Sequence, residues 1–190
     1  HELFPRNLGS RKILPFYLNQ KKLIGDGVEI GVQRGMFSEH ILTYWNGNKL
    51  TGVDPWKTFP SGGEHEPKDF VSQQIHDEFY RETQQRLSSF GQRSLLIKDT
   101  SRVASQQFED NSLDFVFIDA QHHFDAVLED LTLWFPKLRP GGLLAGHDWE
   151  LDYGPPLFGV EKAVREFCKN RGIEEIHLTN DKWTWFFHIP

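Results

Sequence analysis

The strongest constraint on this chain is an alternation. Five short apolar runs, each closed by an acid, a glycine or a proline, are separated by segments with helical spacing. The runs are DGVEIGV (Asp26–Val32), NKLTGVDP (Asn48–Pro55), SLLIKD (Ser94–Asp99), SLDFVFIDA (Ser112–Ala120) and GGLLAGHD (Gly141–Asp148). The fourth is the densest. Phe115, Val116, Phe117 and Ile118 leave no polar side on either face, which reads as a strand buried on both. Between the runs lie Met36–Trp45, with Phe37, Ile41, Leu42 and Trp45 on one face, and Phe70–Phe90, with Val71, Ile75, Phe79 and Leu87 as anchors. A short helix Ser101–Phe108, capped by Ser101, and a helix Phe124–Leu138, ended by Pro136, follow. The last, Gly159–Gly172, carries Val160, Ala163, Val164, Phe167 and Cys168 on one face. Strict alternation of strand and helix implies a parallel sheet covered on both sides.

The tail breaks this rhythm. IEEIHLTN and KWTWFFHIP are strand-like runs joined by Asn180-Asp181, a hairpin signal. The predicted fold is therefore α/β: a Rossmann-like, doubly wound, mostly parallel seven-stranded sheet with an antiparallel C-terminal hairpin strand. A single domain spans residues 1–190. Residues 1–25 form a helical segment, broken near Pro15, and 26–190 form the core. With 38% apolar and 25% charged residues the chain is globular. A net charge of −6, with no basic run, argues against a nucleic-acid partner. One cysteine, Cys168, allows no intrachain disulfide, and no apolar run reaches membrane length. Both fit a cytoplasmic protein, although the chain starts at His1 and leaves an upstream targeting segment open.

Ligands of doubly wound sheets sit beyond the carboxyl ends of the strands. The first such turn, VEIGVQRG, has the spacing E-x-G-x-x-x-G, with Glu29, Gly31 and Gly35. It lacks the G-x-G-x-x-G of a dinucleotide pyrophosphate site, which disfavours a hydride-transferring dehydrogenase. An acid at Glu29 suits a cationic or amino-bearing ligand. Asp54 ends the second strand, where a carboxylate can accept both hydroxyls of a ribose. Asp99 ends the third, where it could accept from an adenine amino group. The alternative is that Asp54 caps a turn and Asp99 caps the next helix. Three acids at successive strand ends favour a nucleoside pocket.

The segments VEIGVQRGMFSEHIL, LTGVDPW, LDFVFIDAQHHFDAVLEDL, PKLRPGGLLAGHDW and GVEKAVREF resemble class I S-adenosylmethionine-dependent methyltransferases. The nearest group is the one with I-D-x-x-H and G-H-D segments. The resemblance implies S-adenosylmethionine touching Glu29, Gly31, Gly35, Asp54 and Asp99, with Ser101 close to the adenine.

In this architecture the fourth and fifth strands are neighbours, so Asp119 and His147-Asp148 reach one rim. Asp119, His147 and Asp148 form a candidate divalent-metal set, because carboxylates this close repel without a cation or proton between them. His147 stands as a ligand or as a pocket-lining residue. Asp119 and His122 are the candidate catalytic residues, with His122 as base. His123 reads as peripheral, His65 as part of a surface loop, and Cys168 as a core thiol. Trp56 and Trp149 are candidates to stack on a ligand, while core packing is expected for Trp134, Trp183 and Trp185. The expected reaction is O-methylation of a small hydroxylated metabolite or sugar. The alternatives are other metal-dependent chemistry on the same scaffold and a non-catalytic nucleoside-binding module.

Overall fold

The computed structural model describes residues 10–59, 71–149 and 159–190. His65 and the loop Glu150–Phe158, expected to wall the acceptor pocket, lie outside them. Seven strands form one sheet: β1 (Asp26–Ile30), β2 (Lys49–Val53), β3 (Ser94–Ile97), β4 (Leu113–Ile118), β5 (Leu138–Gly146), β6 (His177–Leu178) and β7 (Trp185–His188). Their order is β3-β2-β1-β4-β5-β7-β6. β1 to β5 run parallel, and β7 is antiparallel to both β5 and β6. The helices are α1 (Leu14–Gln20), α2 (Met36–Tyr44), α3 (Gln73–Leu87), α4 (Ser101–Ser105), α5 (Phe124–Trp134) and α6 (Val160–Asn170).

β4 supplies the two-faced core that its composition demands. All six of its residues are buried. Val116 and Ile118 pack into a cluster with Leu131 and Trp134 of α5 and Phe167 of α6. Phe115 and Phe117 point the other way, into Leu18 of α1, Phe37 and Ile41 of α2, and Trp45 just after it. Each such side chain contributes roughly 1.5–3 kcal/mol by leaving water. A strand that feeds two cores has little freedom, which makes its C-terminal end a stiff mount.

Several local expectations shift. Pro15 does not break the N-terminal helix; it sits in the first turn of α1, where a missing N–H costs nothing. A 3-10 turn, Arg11–Ile13, precedes it, capped by the Ser10 hydroxyl. α3 starts at the Ser72 cap, and of its expected anchors only Leu87 is buried: Ile75 is exposed, while Thr83 turns inward. The cap of α4 is Thr100, whose hydroxyl accepts from the Val103 N–H, rather than Ser101. β5 begins at Leu138, before the Pro-Gly-Gly turn, because Gly141 and Gly142 pair with Ile189 next to β7. Trp183 is 43% exposed, not core.

Candidate active site

The register of the parallel strands sets the site. Val53, Ile30, Ile118 and Gly146 align across β2, β1, β4 and β5. The next residue on each strand is Asp54, Gly31, Asp119 and His147. Four strand ends therefore meet along one rim, with Asp148 rather than His147 facing the cavity from the fifth strand. They border a cavity of about 980 Å³, which Glu29, Gly31, Asp54, Asp119, His122 and Asp148 help to line. That is the upper end of the range for small-molecule sites, with room for a nucleoside cofactor and a small acceptor together.

The first turn is tight enough to require glycine. Gly31 has φ +87°, and a Cβ there would come 2.0 Å from the Asp119 carbonyl oxygen. Gly35, at φ +71°, starts α2 against Thr83. Gln33, Trp56 and Asp148 also adopt positive φ, although none is glycine. Strain of this kind gathers where surrounding structure over-determines a site.

Glu29 lies two residues before the rim, 1% exposed, and accepts a hydrogen bond from the Ser38 hydroxyl. Burial pushes its carboxyl up to about 8; the Ser38 bond opposes this, and Asp119 adds to it. Asp54 is occupied by backbone. Oδ2 accepts from Val32 and Gln33 N–H at 3.1 and 3.0 Å, and Oδ1 accepts from Trp56 N–H at 2.7 Å. A carboxylate has about four acceptor sites, so as it stands Asp54 has room for one ribose hydroxyl rather than two. Asp99 accepts from the Thr100 N–H and is not among the residues lining the cavity, whereas Thr100 and Ser101 are. Trp56 and Trp149 do not face the cavity. Trp56 is fully buried with its indole N–H on the Gln33 carbonyl, and Trp149 lies under the Arg165 guanidinium.

At the other end, Asp119, His122 and Asp148 each bring a ligand atom within 4.8 Å of the others. His122 Nε2 is 2.6 Å from Asp148 Oδ2 and 3.8 Å from Asp119 Oδ1. The two carboxylates outweigh burial and raise the imidazole to about 9, and its charge in turn holds Asp148 well below the usual carboxylate range, against the opposing effect of burial. The cluster differs from the expected metal set by holding His122 where His147 was expected. His147 stands behind, its Nδ1 3.0 Å from Asp148 Oδ1.

Two residues at the site stand outside the strand-end pattern. Arg11, from the N-terminal 3-10 turn, donates to Asp119 Oδ2 and lies over the Phe37 ring at 4.9 Å. No local pattern marks a residue that reaches across 108 positions. Asp130 is 6% exposed and lines the cavity from α5. A polar residue on the apolar face of a helical pattern was the one available clue.

Among curated proteins the chain is similar to an uncharacterized protein, y4gI, of Sinorhizobium fredii, 26% identical over 155 residues. The match covers 81% of this chain but only 16% of that protein's length. Among solved structures, the O-methyltransferase TomG of Streptomyces achromogenes, involved in tomaymycin synthesis and solved with S-adenosylmethionine, superposes with a TM-score of 0.61 at 15% identity. That match covers 94% of this chain and 79% of the other. An O-methyltransferase of Bacillus cereus, solved with S-adenosylhomocysteine, gives 0.61 at 13% identity, over 96% and 80%. These likenesses show a shared fold. The family model for the methyltransferase domain matches residues 28–149, more than half of the chain and all four strand ends that build the cleft, so the chain belongs to the methyltransferase-domain family.

Proposed function

We propose that this chain transfers a methyl group from S-adenosylmethionine to a hydroxyl of a small acceptor, assisted by a divalent cation. The observation that carries the reading is the convergence of Asp119, His122 and Asp148 at the strand ends beside the Gly31 turn. The cofactor supplies a methyl already activated on a sulfonium. What remains for the protein is to align an acceptor oxygen and see its proton removed.

The donor set fits both groups. Six acidic residues line the cavity, Glu29, Asp54, Asp119, Glu129, Asp130 and Asp148, alongside Arg11, Arg34, Lys57 and Arg102, so acceptors for an amino group and a cation are at hand. Two carboxylates and an imidazole suit manganese, iron or zinc better than magnesium, which prefers oxygen alone. A divalent cation there would lower the acceptor hydroxyl's pKa. His147, bonded to Asp148, orients that carboxylate as outer partners of ligands do. The two carboxylates that keep the His122 imidazole protonated would be neutralised by a cation, which would free the imidazole to join them as a ligand or to serve as the base.

The test compares Asp119→Asn and His122→Ala with wild type. Manganese affinity, S-adenosylhomocysteine affinity and turnover are measured on the same preparations. Both variants should lose manganese affinity by about tenfold or more, since even outer partners of ligands are worth roughly 10–100-fold. Cofactor affinity should stay nearly intact. Full activity of Asp119→Asn in a chelator contradicts the metal reading. A rate loss in His122→Ala without loss of metal affinity makes His122 the base instead.

A further inference from the structure

Asp130 is a buried acid that the proposed chemistry does not use. It sits on α5, a helix that packs against α4, and is not part of the Asp119, His122 and Asp148 cluster. Its Oδ1 accepts from the Ser101 hydroxyl, and Ser101 Oγ in turn accepts from the Trp134 indole N–H at 2.8 Å. The direction of this chain is fixed. An indole can only donate, so the single hydroxyl hydrogen of Ser101 goes to Asp130. The second oxygen, Oδ2, has no hydrogen-bond partner among the described residues and is not one of the sealed, unsatisfied atoms. It therefore looks into the cavity that Asp130 lines together with Thr100, Ser101 and Ala126.

A buried carboxylate oxygen held in place and left open is an acceptor awaiting a donor. The cleft's other features decide which end of the ligand reaches it. Beside the Gly31 turn, buried Glu29 and the Arg11 guanidinium offer one acid and one base, matched to an α-amino and an α-carboxylate group. That leaves the α4–α5 side for the opposite arm, the nucleoside, beyond Asp54. The donor that an adenine presents at its edge is its exocyclic amine. On the reading of the cofactor given above, we infer that Asp130 Oδ2 accepts a hydrogen bond from the base amine and selects an amino purine over an oxo purine.

Ser101 makes the inference sharp. In Asp130→Asn the amide oxygen is expected to keep the Ser101 hydroxyl hydrogen, the arrangement that leaves the Trp134 indole bond to Ser101 undisturbed. The amide NH₂ then faces the cleft as a donor. It matches the carbonyl of hypoxanthine and opposes the amine of adenine. One substitution should reverse the preference.

The experiment measures binding of S-adenosylhomocysteine and of its deaminated analogue, S-inosylhomocysteine, to the full chain by calorimetry, for wild type and Asp130→Asn. Wild type should favour the adenosine compound by about 10- to 100-fold, the usual worth of a hydrogen bond to a charged group. In Asp130→Asn that ratio should fall to unity or invert, with folding checked by the melting transition. Wild-type discrimination below about twofold overturns the inference without any variant. So does an unchanged ratio in a folded Asp130→Asn. If S-adenosylhomocysteine binds tightly while either result is seen, the assignment of Asp130 fails alone. If neither compound binds wild type, the cofactor reading fails with it.

Discussion

Glu29 shows how a single buried acid ties stability to pH. Its carboxyl titrates near 8 because burial penalises the charged form, so it is largely neutral in the folded chain at neutral pH. Between the ordinary value of 4.5 and about 8 the folded chain holds a proton that the unfolded chain has released. Stability must therefore fall as pH rises through that window. Asp130, raised to about 6 by burial, acts with the same sign over a lower window, from 3.8 upward. Glu29→Gln keeps an acceptor for the Ser38 hydroxyl while removing the titration. Its melting temperature, followed from pH 5 to 8, should show a shallower decline above about 6, where His122, raised to about 9, still contributes with the same sign, and keep the part below that Asp130 contributes. A Gln variant with the wild-type slope above 6 would show that Glu29 is ionised in the folded chain. The acid expected from the sequence to meet an amino group is thus a reservoir for a proton until such a group arrives.

At the scale of elements, the junction between β1 and β4 holds the site's geometry. The Asp119 N–H donates to the Ile30 carbonyl, and the Asp119 carbonyl lies where a Gly31 side chain would be. Gly31→Ala should cost roughly 2–5 kcal/mol, combining a strained positive φ with backbone overlap. Gly172, also at positive φ but with nothing within 4 Å of a Cβ, provides the control. Gly172→Ala should cost only the backbone part, about 1–2 kcal/mol. Equal losses in denaturant melts would show that the two strand ends are not spliced as described. The same elements explain what was legible beforehand. β4 announced itself because burial on both faces selects apolar residues from Phe115 to Ile118, while its one acid, Asp114, is buried against the Gly25 N–H and Arg139. α6 did so because all five of its predicted face residues pack inward. α3 was misread in detail because most of its length is exposed, with polar Thr83 and not Ile75 making the inward contact. Trp56 was misread because its burial comes from the Gln33 carbonyl and the Tyr80 ring, partners that no local pattern reveals.

Over the whole molecule, the cleft collects groups whose spacing in the sequence is unrelated to their spacing in space. Glu29, Asp54, Asp119 and Asp148 could be found one by one, because each ends or nearly ends an apolar run. Arg11 and Asp130 could not, because one comes from a turn outside the sheet and the other from the middle of a helix. The lining sets six acids against Arg11, Arg34, Lys57 and Arg102, and Arg11 is the one that pairs with Asp119. Among the described residues no helix is long and apolar enough to cross a membrane. The central claim is that this cleft takes the nucleoside and amino-acid arms of S-adenosylmethionine. Calorimetric titration of S-adenosylhomocysteine into the full chain, with and without manganese, tests it most directly. The account predicts saturable, stoichiometric binding that Asp54→Ala weakens by about 1–3 kcal/mol, the cost of losing a charged acceptor. Binding of NAD with no heat from S-adenosylhomocysteine under either condition would contradict it.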